Sequence, residues 1–192
     1  DTFRCYAAMD EARYPTVNKA RWFNFDLLKT CRNTQQKTEL IVGSIKETGL
    51  VRGGTLRVHI GGDYYNQSYF NAWMDAARFF PNVVFYSYTK SIHLLQRYLG
   101  DKGKLPKNFV FTCSRGGLFD HLIPSTNIKS ARVFFSKEEA DALGLDIDHT
   151  DDLAISSSDD FALVLHGSQP AKSKASKALS ELKKNGFAGY NK

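Results

Sequence analysis

The chain is poor in sulfur and has no long apolar run. Three cysteines stand among 192 residues, at positions 5, 31 and 113, and their spacing fits no closed zinc motif. A sparse, odd set argues against a disulfide framework and fits a reducing compartment. No stretch reaches the roughly 18–20 consecutive apolar residues of a membrane helix, so no membrane partner is expected. There is no low-complexity tract and no repeat at a period of about 20–50 residues, which sets solenoids and arrays aside. No signal-peptide pattern opens the sequence. Asp1 stands where a start methionine would be, and the expectation is that the natural N-terminus lies upstream.

Aromatic residues are plentiful, at 13%, and charged residues make up 24%, which excludes a disordered chain. The length suits one sizeable core and is short for two ordinary domains. The formal net charge of +6 is unevenly placed. Residues 167–192 carry six Lys and one Glu, whereas residues 1–166 carry 20 Lys and Arg against 19 Asp and Glu. The expected organisation is one α/β domain over residues 1–166, with a basic helical tail, 167–192, packed on it. Residues 138–160 hold nine acidic groups and no Lys or Arg, and could lie against that tail.

Helical spacing appears over residues 16–30 and 35–48, then from Ser68 to Phe79, over about 91–98, in a short helix after Ser136, and over 171–184. Apolar runs at 55–60, 83–88, 109–113, 132–135 and 161–165 read as strands. Residues 114–129 look irregular, and 145–160 reads as a polar connection. Continuously apolar strands alternating with helices indicate a mostly parallel sheet with flanking helices. Five strands are too few for an eight-stranded barrel, so the fold class is α/β, as an incomplete (β/α) barrel or an open sheet.

In such sheets ligands bind at the carboxyl ends of the strands. Those ends deliver Gly61, Gly62 and Asp63; Thr89 and Lys90; Ser114 and Arg115; and His166 and Ser168. Each has a plainer reading. The glycines can serve only a turn, and Asp63 can be a cap. Arg115 before two glycines suits either an anion-binding loop or a salt bridge. Lys90, directly after an apolar strand, reads as an anion or carboxylate contact. His166 is a candidate for proton transfer, whereas His59 alternates inside a strand and reads as structural. Lys172, Lys174 and Lys177 in the tail suit either a solvated helix face or salt-sensitive contacts to a nucleic-acid backbone.

The segments Arg4-Cys5-Tyr6-Ala7-Ala8, Val58-His59-Ile60-Gly61-Gly62-Asp63, Phe85-Tyr86-Ser87-Tyr88-Thr89-Lys90 and His166-Gly167-Ser168-Gln169-Pro170 resemble the bacteriophage gene-product-88-like family. These are phage and prophage proteins of unassigned function, and the resemblance spans nearly the whole chain. It implies the cytoplasm of an infected host cell. A weaker similarity runs to partial-barrel radical S-adenosylmethionine enzymes. There Cys5 would match the last cysteine of an iron–sulfur cluster, and Gly61-Gly62-Asp63 the glycine motif, with Asp in place of Glu. An iron–sulfur cluster and S-adenosylmethionine are therefore expected only if further cysteines lie upstream. On the leading expectation, Lys90 and Arg115 bind an anionic group, Asp63 a cationic or hydroxyl group, and His166 moves a proton. The alternatives are a non-catalytic nucleic-acid-binding protein in phage replication or DNA handling, and a component of phage assembly.

Overall fold

A computed structural model describes residues 3–187. Three helices come first: α1 (Tyr6–Arg13), α2 (Pro15–Thr30) and α3 (Thr34–Glu47). A 3-10 turn at Leu50–Arg52 leads into β1 (Gly54–Val58), followed by α4 (Gln67–Phe79), β2 (Val83–Thr89), α5 (Ile92–Lys102) and β3 (Phe109–Ser114). A 3-10 turn at Asp120–Leu122 and α6 (Ile123–Thr126) precede β4 (Ser130–Phe134) and α7 (Lys137–Asp141). The described chain ends with α8 (Asp152–Ser156), β5 (Phe161–Val164) and α9 (Lys174–Lys184).

The caps explain several boundaries. Asn33 and Asn66 accept from Gln36 N and Tyr69 N and start α3 and α4, so Asn66, not Ser68, is the α4 cap. Pro15 opens α2 at its first turn, where a missing N–H costs nothing. Three elements depart from the sequence expectation. Residues 6–13 are helical, residues 114–129 contain α6, and the polar connection 145–160 contains α8.

The five strands pair in parallel in the order β1-β2-β3-β4-β5, giving a curled sheet, a half-barrel with flanking helices. Each strand adds to the same edge, which is how a barrel begins to close. One face packs on α3, α4 and α5. There Phe70, Phe85, Phe109 and Phe111 lie within a buried cluster, with the Phe109–Phe111 centroids 4.6 Å apart and the rings nearly parallel. The register is long between β1, β2 and β3 but shrinks to Cys113↔Ser130 and Ser114↔Ala131 between β3 and β4. The last two strands are thus displaced upward along the sheet.

The opposite, concave face carries Arg57, Tyr86, Tyr88, Val110 and Thr112, and the connection before β5 folds into it. Ala154 of α8, 1% exposed, packs with Tyr86, Ala131 and Phe161. Asp151 is reached by Arg57 at 2.6 Å, Tyr86 Oη at 3.0 Å and Tyr88 Oη at 2.9 Å. Buried Asp148 accepts from Thr150 N and Ala154 N, and Lys129 Nζ donates to the carbonyls of Leu153, Ala154 and Ser157. The acidic stretch therefore pairs with the sheet, through Asp151–Arg57 and Asp160–Arg115. The basic segment docks through apolar contacts: Ala175 and Leu179 of α9 are buried with Leu165, against Val133 and Phe135.

Candidate functional site at the carboxyl edge

The expected site residues lie along one edge, and most are tied to their neighbours. Asp63 Oδ1 accepts from Tyr64 N at 2.8 Å and Thr89 Oγ1 at 2.7 Å, and Oδ2 accepts from Lys90 N at 2.7 Å. It joins the end of β1 to the end of β2. Lys90 Nζ then donates to the carbonyls of Ser114, at 3.3 Å, and Arg115, at 2.7 Å, at the end of β3. Partial burial lowers the Lys90 pKa, against the opposing pull of Asp120, Asp63 and Cys5. Arg115 Nε donates to Ser130 at the start of β4, and its guanidinium pairs with Asp160 at 3.5 Å. The glycines after Arg115 do hold an anion, and it is the chain's own. Gly116 N and Gly117 N donate to Asp120 at 2.8 and 2.9 Å.

Cys5 is exposed and stands near enough to Lys90 to influence its charge. The segment around it crosses the edge. Phe3 meets Phe135 edge-on, Arg4 N donates to Gln169 Oε1 at 2.8 Å, and Ala7 O receives Arg21 at 2.8 Å. His166 lies apart from this row. Its Nδ1 is 3.1 Å from Val164 O, burial lowers its pKa, and it feels the charges of Arg57 and Asp151 on the concave face. Ser168, Lys172, Lys174 and Lys177 are exposed.

A cleft of about 350 Å³ opens at the carboxyl end of β1, lined by Gly61, Gly62 and Asp63 together with residues that sequence reasoning did not place in the site. These include Arg21, Trp22 and Phe25 of α2, His59, Tyr65 and Tyr69. His59 has φ +62, a left-handed backbone that a residue other than glycine adopts at a cost. Strand alternation would place it on the Arg57 face. Its ring instead lies against Tyr69 and Trp73 of α4, with Nε2 2.9 Å from Tyr69 Oη. Its Nδ1 is buried and has no hydrogen-bond partner. Burial pushes its pKa down to about 4, with Asp63 acting in the opposite sense, so the imidazole is neutral at pH 7.

Helix α2 forms the outer wall of this cleft and buries no side chain. Trp22 is 53% exposed and meets Phe25 edge-on at 5.7 Å, Phe25 meets Tyr65 at 5.3 Å, and Tyr65 stacks on Tyr69 at 4.8 Å. The walls are aromatic, the imidazole is neutral, and the charged lining residues Glu11, Arg21 and Asp63 are each held by hydrogen bonds within the chain.

A wider groove of about 950 Å³ runs over β3, β4 and β5. Arg115, Arg132 and Lys174 line it, but so do Asp120, Glu139 and Asp160, so it is not a one-signed track.

The chain's thiols do not fit an iron–sulfur cluster. Cys5 is on the edge, Cys31 caps the end of α2, and Cys113 is buried in β3, its thiol raised to about 11 mainly by burial. Among the described residues, no three His, Cys, Asp or Glu side chains gather to hold a metal. No described helix is long and apolar enough to cross a membrane.

The fold and its edge define an α/β half-barrel with an aromatic cleft at the end of its first strand. Residues 1–182 match the family described as Gene product 88, and the chain belongs to that family. This supports the phage origin that the sequence motifs implied. No curated protein and no solved structure matches the chain.

Proposed function

We propose that this phage protein binds a small, flat, uncharged molecule in the cleft at the carboxyl end of β1. The observation that supports the reading is His59: a neutral side chain on left-handed backbone that lines an aromatic-walled cleft and whose Nδ1 is buried without a partner. Buried polar atoms without partners are rare in stable cores and are accounted for where a ligand completes them. Tyr69 holds the ring from the other side, so the tautomer set at Nε2 decides whether Nδ1 donates to the ligand or accepts from it. Trp22, Phe25 and Tyr65 would stack on the ligand's faces, and Arg21 and Asp63 would border its polar rim.

Asp63, Lys90 and Arg115 then serve to hold the strand ends in register beneath the ligand. No step is assigned to a cluster or to S-adenosylmethionine. The test is calorimetric titration with neutral heteroaromatic probes, adenosine and uridine, and with glycerol as an aliphatic control. Saturable binding of a ring compound that is lost in His59→Asn and in Trp22→Ala supports the reading. Absence of binding for every ring compound, with the protein folded, would sink it.

A further inference from the structure

The concave face carries three donors that meet on one carboxylate. Arg57 of β1 and Tyr86 of β2 are register partners, and Tyr88 follows two residues on along the same face. Arg57 and Tyr86 reach Oδ2 of Asp151, and Tyr88 reaches Oδ1. The guanidinium also lies over the Tyr88 ring, 5.1 Å from its centroid, which holds it in place independently of the carboxylate. Burial and the Asp151 charge keep both phenols protonated far above neutral pH, so they remain donors.

Other carboxylates of the edge, Asp63 and Asp120, are held chiefly by backbone N–H groups close to the turns they stabilise. Asp151 differs. It is held wholly by side chains of the sheet, 63 to 94 residues away in sequence, and it sits at φ +68. Beside Tyr88 in the register lies Thr112, 1% exposed, whose hydroxyl has no hydrogen-bond partner. His166, at the end of β5, feels the same Arg57 and Asp151 charges. This is the concave, carboxyl half of a parallel half-barrel, the region where barrels place their ligands.

We propose that Arg57, Tyr86 and Tyr88 form a binding site for the carboxylate or phosphate group of a small ligand, and that Asp151 is its displaceable internal occupant. A planar cationic fork with two phenol O–H groups already directed at a carboxylate favours an oxyanion, with buried Asp148 the nearby opposing charge. Thr112 supplies one further donor on the same face, and His166 stands at its upper rim. Displacing Asp151 does not require the segment to leave the sheet, because Lys129 still holds the carbonyl end of α8. The ligand thus competes with the Asp151 carboxylate, and with the turn that carries it, for the concave face. This site is separate from the aromatic cleft and does not depend on it.

The test begins with Asp151→Gly, which removes the carboxylate and suits the left-handed backbone. Inorganic phosphate and acetate are titrated separately by calorimetry into the wild type and the variant. The expected result is saturable binding of one of them at least tenfold tighter in the variant, and its loss when Arg57→Gln is added. Which anion binds distinguishes a phosphate ligand from a carboxylate one. If Asp151→Gly does not fold, Asp151→Asn takes its place in the same titrations. In the wild type, the binding anion is expected to speed amide exchange in residues 149–156 without speeding it in β2 and β3. A folded variant that binds neither anion overturns the proposal. So does a wild-type segment that exchanges only through global unfolding, which would make Asp151 a permanent pin.

Discussion

Gly61 lies flat beneath the guanidinium of Arg21. A Cβ placed on Gly61 would stand 2.6 Å from Arg21 Cζ, far inside contact distance. The same guanidinium donates to Ala7 O and Glu11, so one glycine lets α2 bind α1 and sit against the end of β1 at once. Gly61→Ala is expected to displace Arg21 at little global cost, about 1 kcal/mol or less, because a flexible side chain can move. The visible change should be faster amide exchange across α1 and α2 and loss of ligand binding in the cleft. Unchanged exchange there would show that Arg21 is not what seats these helices.

His59 gives stability a pH dependence of defined sign. Its folded-state pKa is lowered to about 4 from an ordinary value of 6.5. The unfolded chain therefore binds the proton more readily, and folding weakens as pH falls from 6.5 toward 4, with no effect above that window. The full contribution is at most about 3 kcal/mol. His166, also lowered, acts in the same direction, so the comparison is between wild type and variant. Denaturant titrations at pH 7 and pH 4.5 should show a smaller acid loss in His59→Asn, a residue that tolerates left-handed backbone.

Asp63 is expected to matter more for stability than for ligand contact. Its carboxylate accepts three hydrogen bonds that join β1 to β2, and hydrogen bonds to charged groups are the strong ones. Asp63→Ala should cost about 2–4 kcal/mol in urea unfolding. Asp63→Asn, which keeps one accepting oxygen, should cost less. A neutral result for both would leave Asp63 only its place at the ligand's rim.

The three tail lysines can be tested without disturbing the core. Removing the tail would strip Ala175 and Leu179 from Leu165, so neutralisation is the better experiment. Lys172, Lys174 and Lys177 changed together to Gln should leave stability within about 0.5 kcal/mol. A nucleic-acid role for these lysines predicts that the salt dependence of DNA binding flattens by a slope of roughly 3. An unchanged slope removes the tail from that role.

Much of the sheet was legible because its strands are apolar runs bounded by Gly, Pro and Asn. The edge row, Asp63 to Arg115, was legible because strand ends in a parallel sheet must converge. Their partners were not legible. Lys90 reaches backbone carbonyls and the loop after Arg115 closes on Asp120, and no local pattern announces either contact. His59 was hidden for a different reason: strand periodicity assigned it to one face, and a single left-handed dihedral turned it to the other. Trp22 and Phe25 come from a helix distant in sequence, and α8 looked like a polar connection because its anchoring groups are acids.

The short β3–β4 overlap divides the protein into two unequal leaves. The larger, β1 to β3 with α3 to α5, owns the main aromatic core, while β4 and β5 share small clusters. Two register pairs, the Arg115 contacts, the Asp151 carboxylate on Arg57, Tyr86 and Tyr88, and the packing of α8 bridge them. Assembly therefore has a natural order. The first leaf is expected to collapse on contacts between neighbouring elements, with the second docking on it as a template. Mutations at the joint should slow the late docking step, and mutations among the stacked phenylalanines the early one.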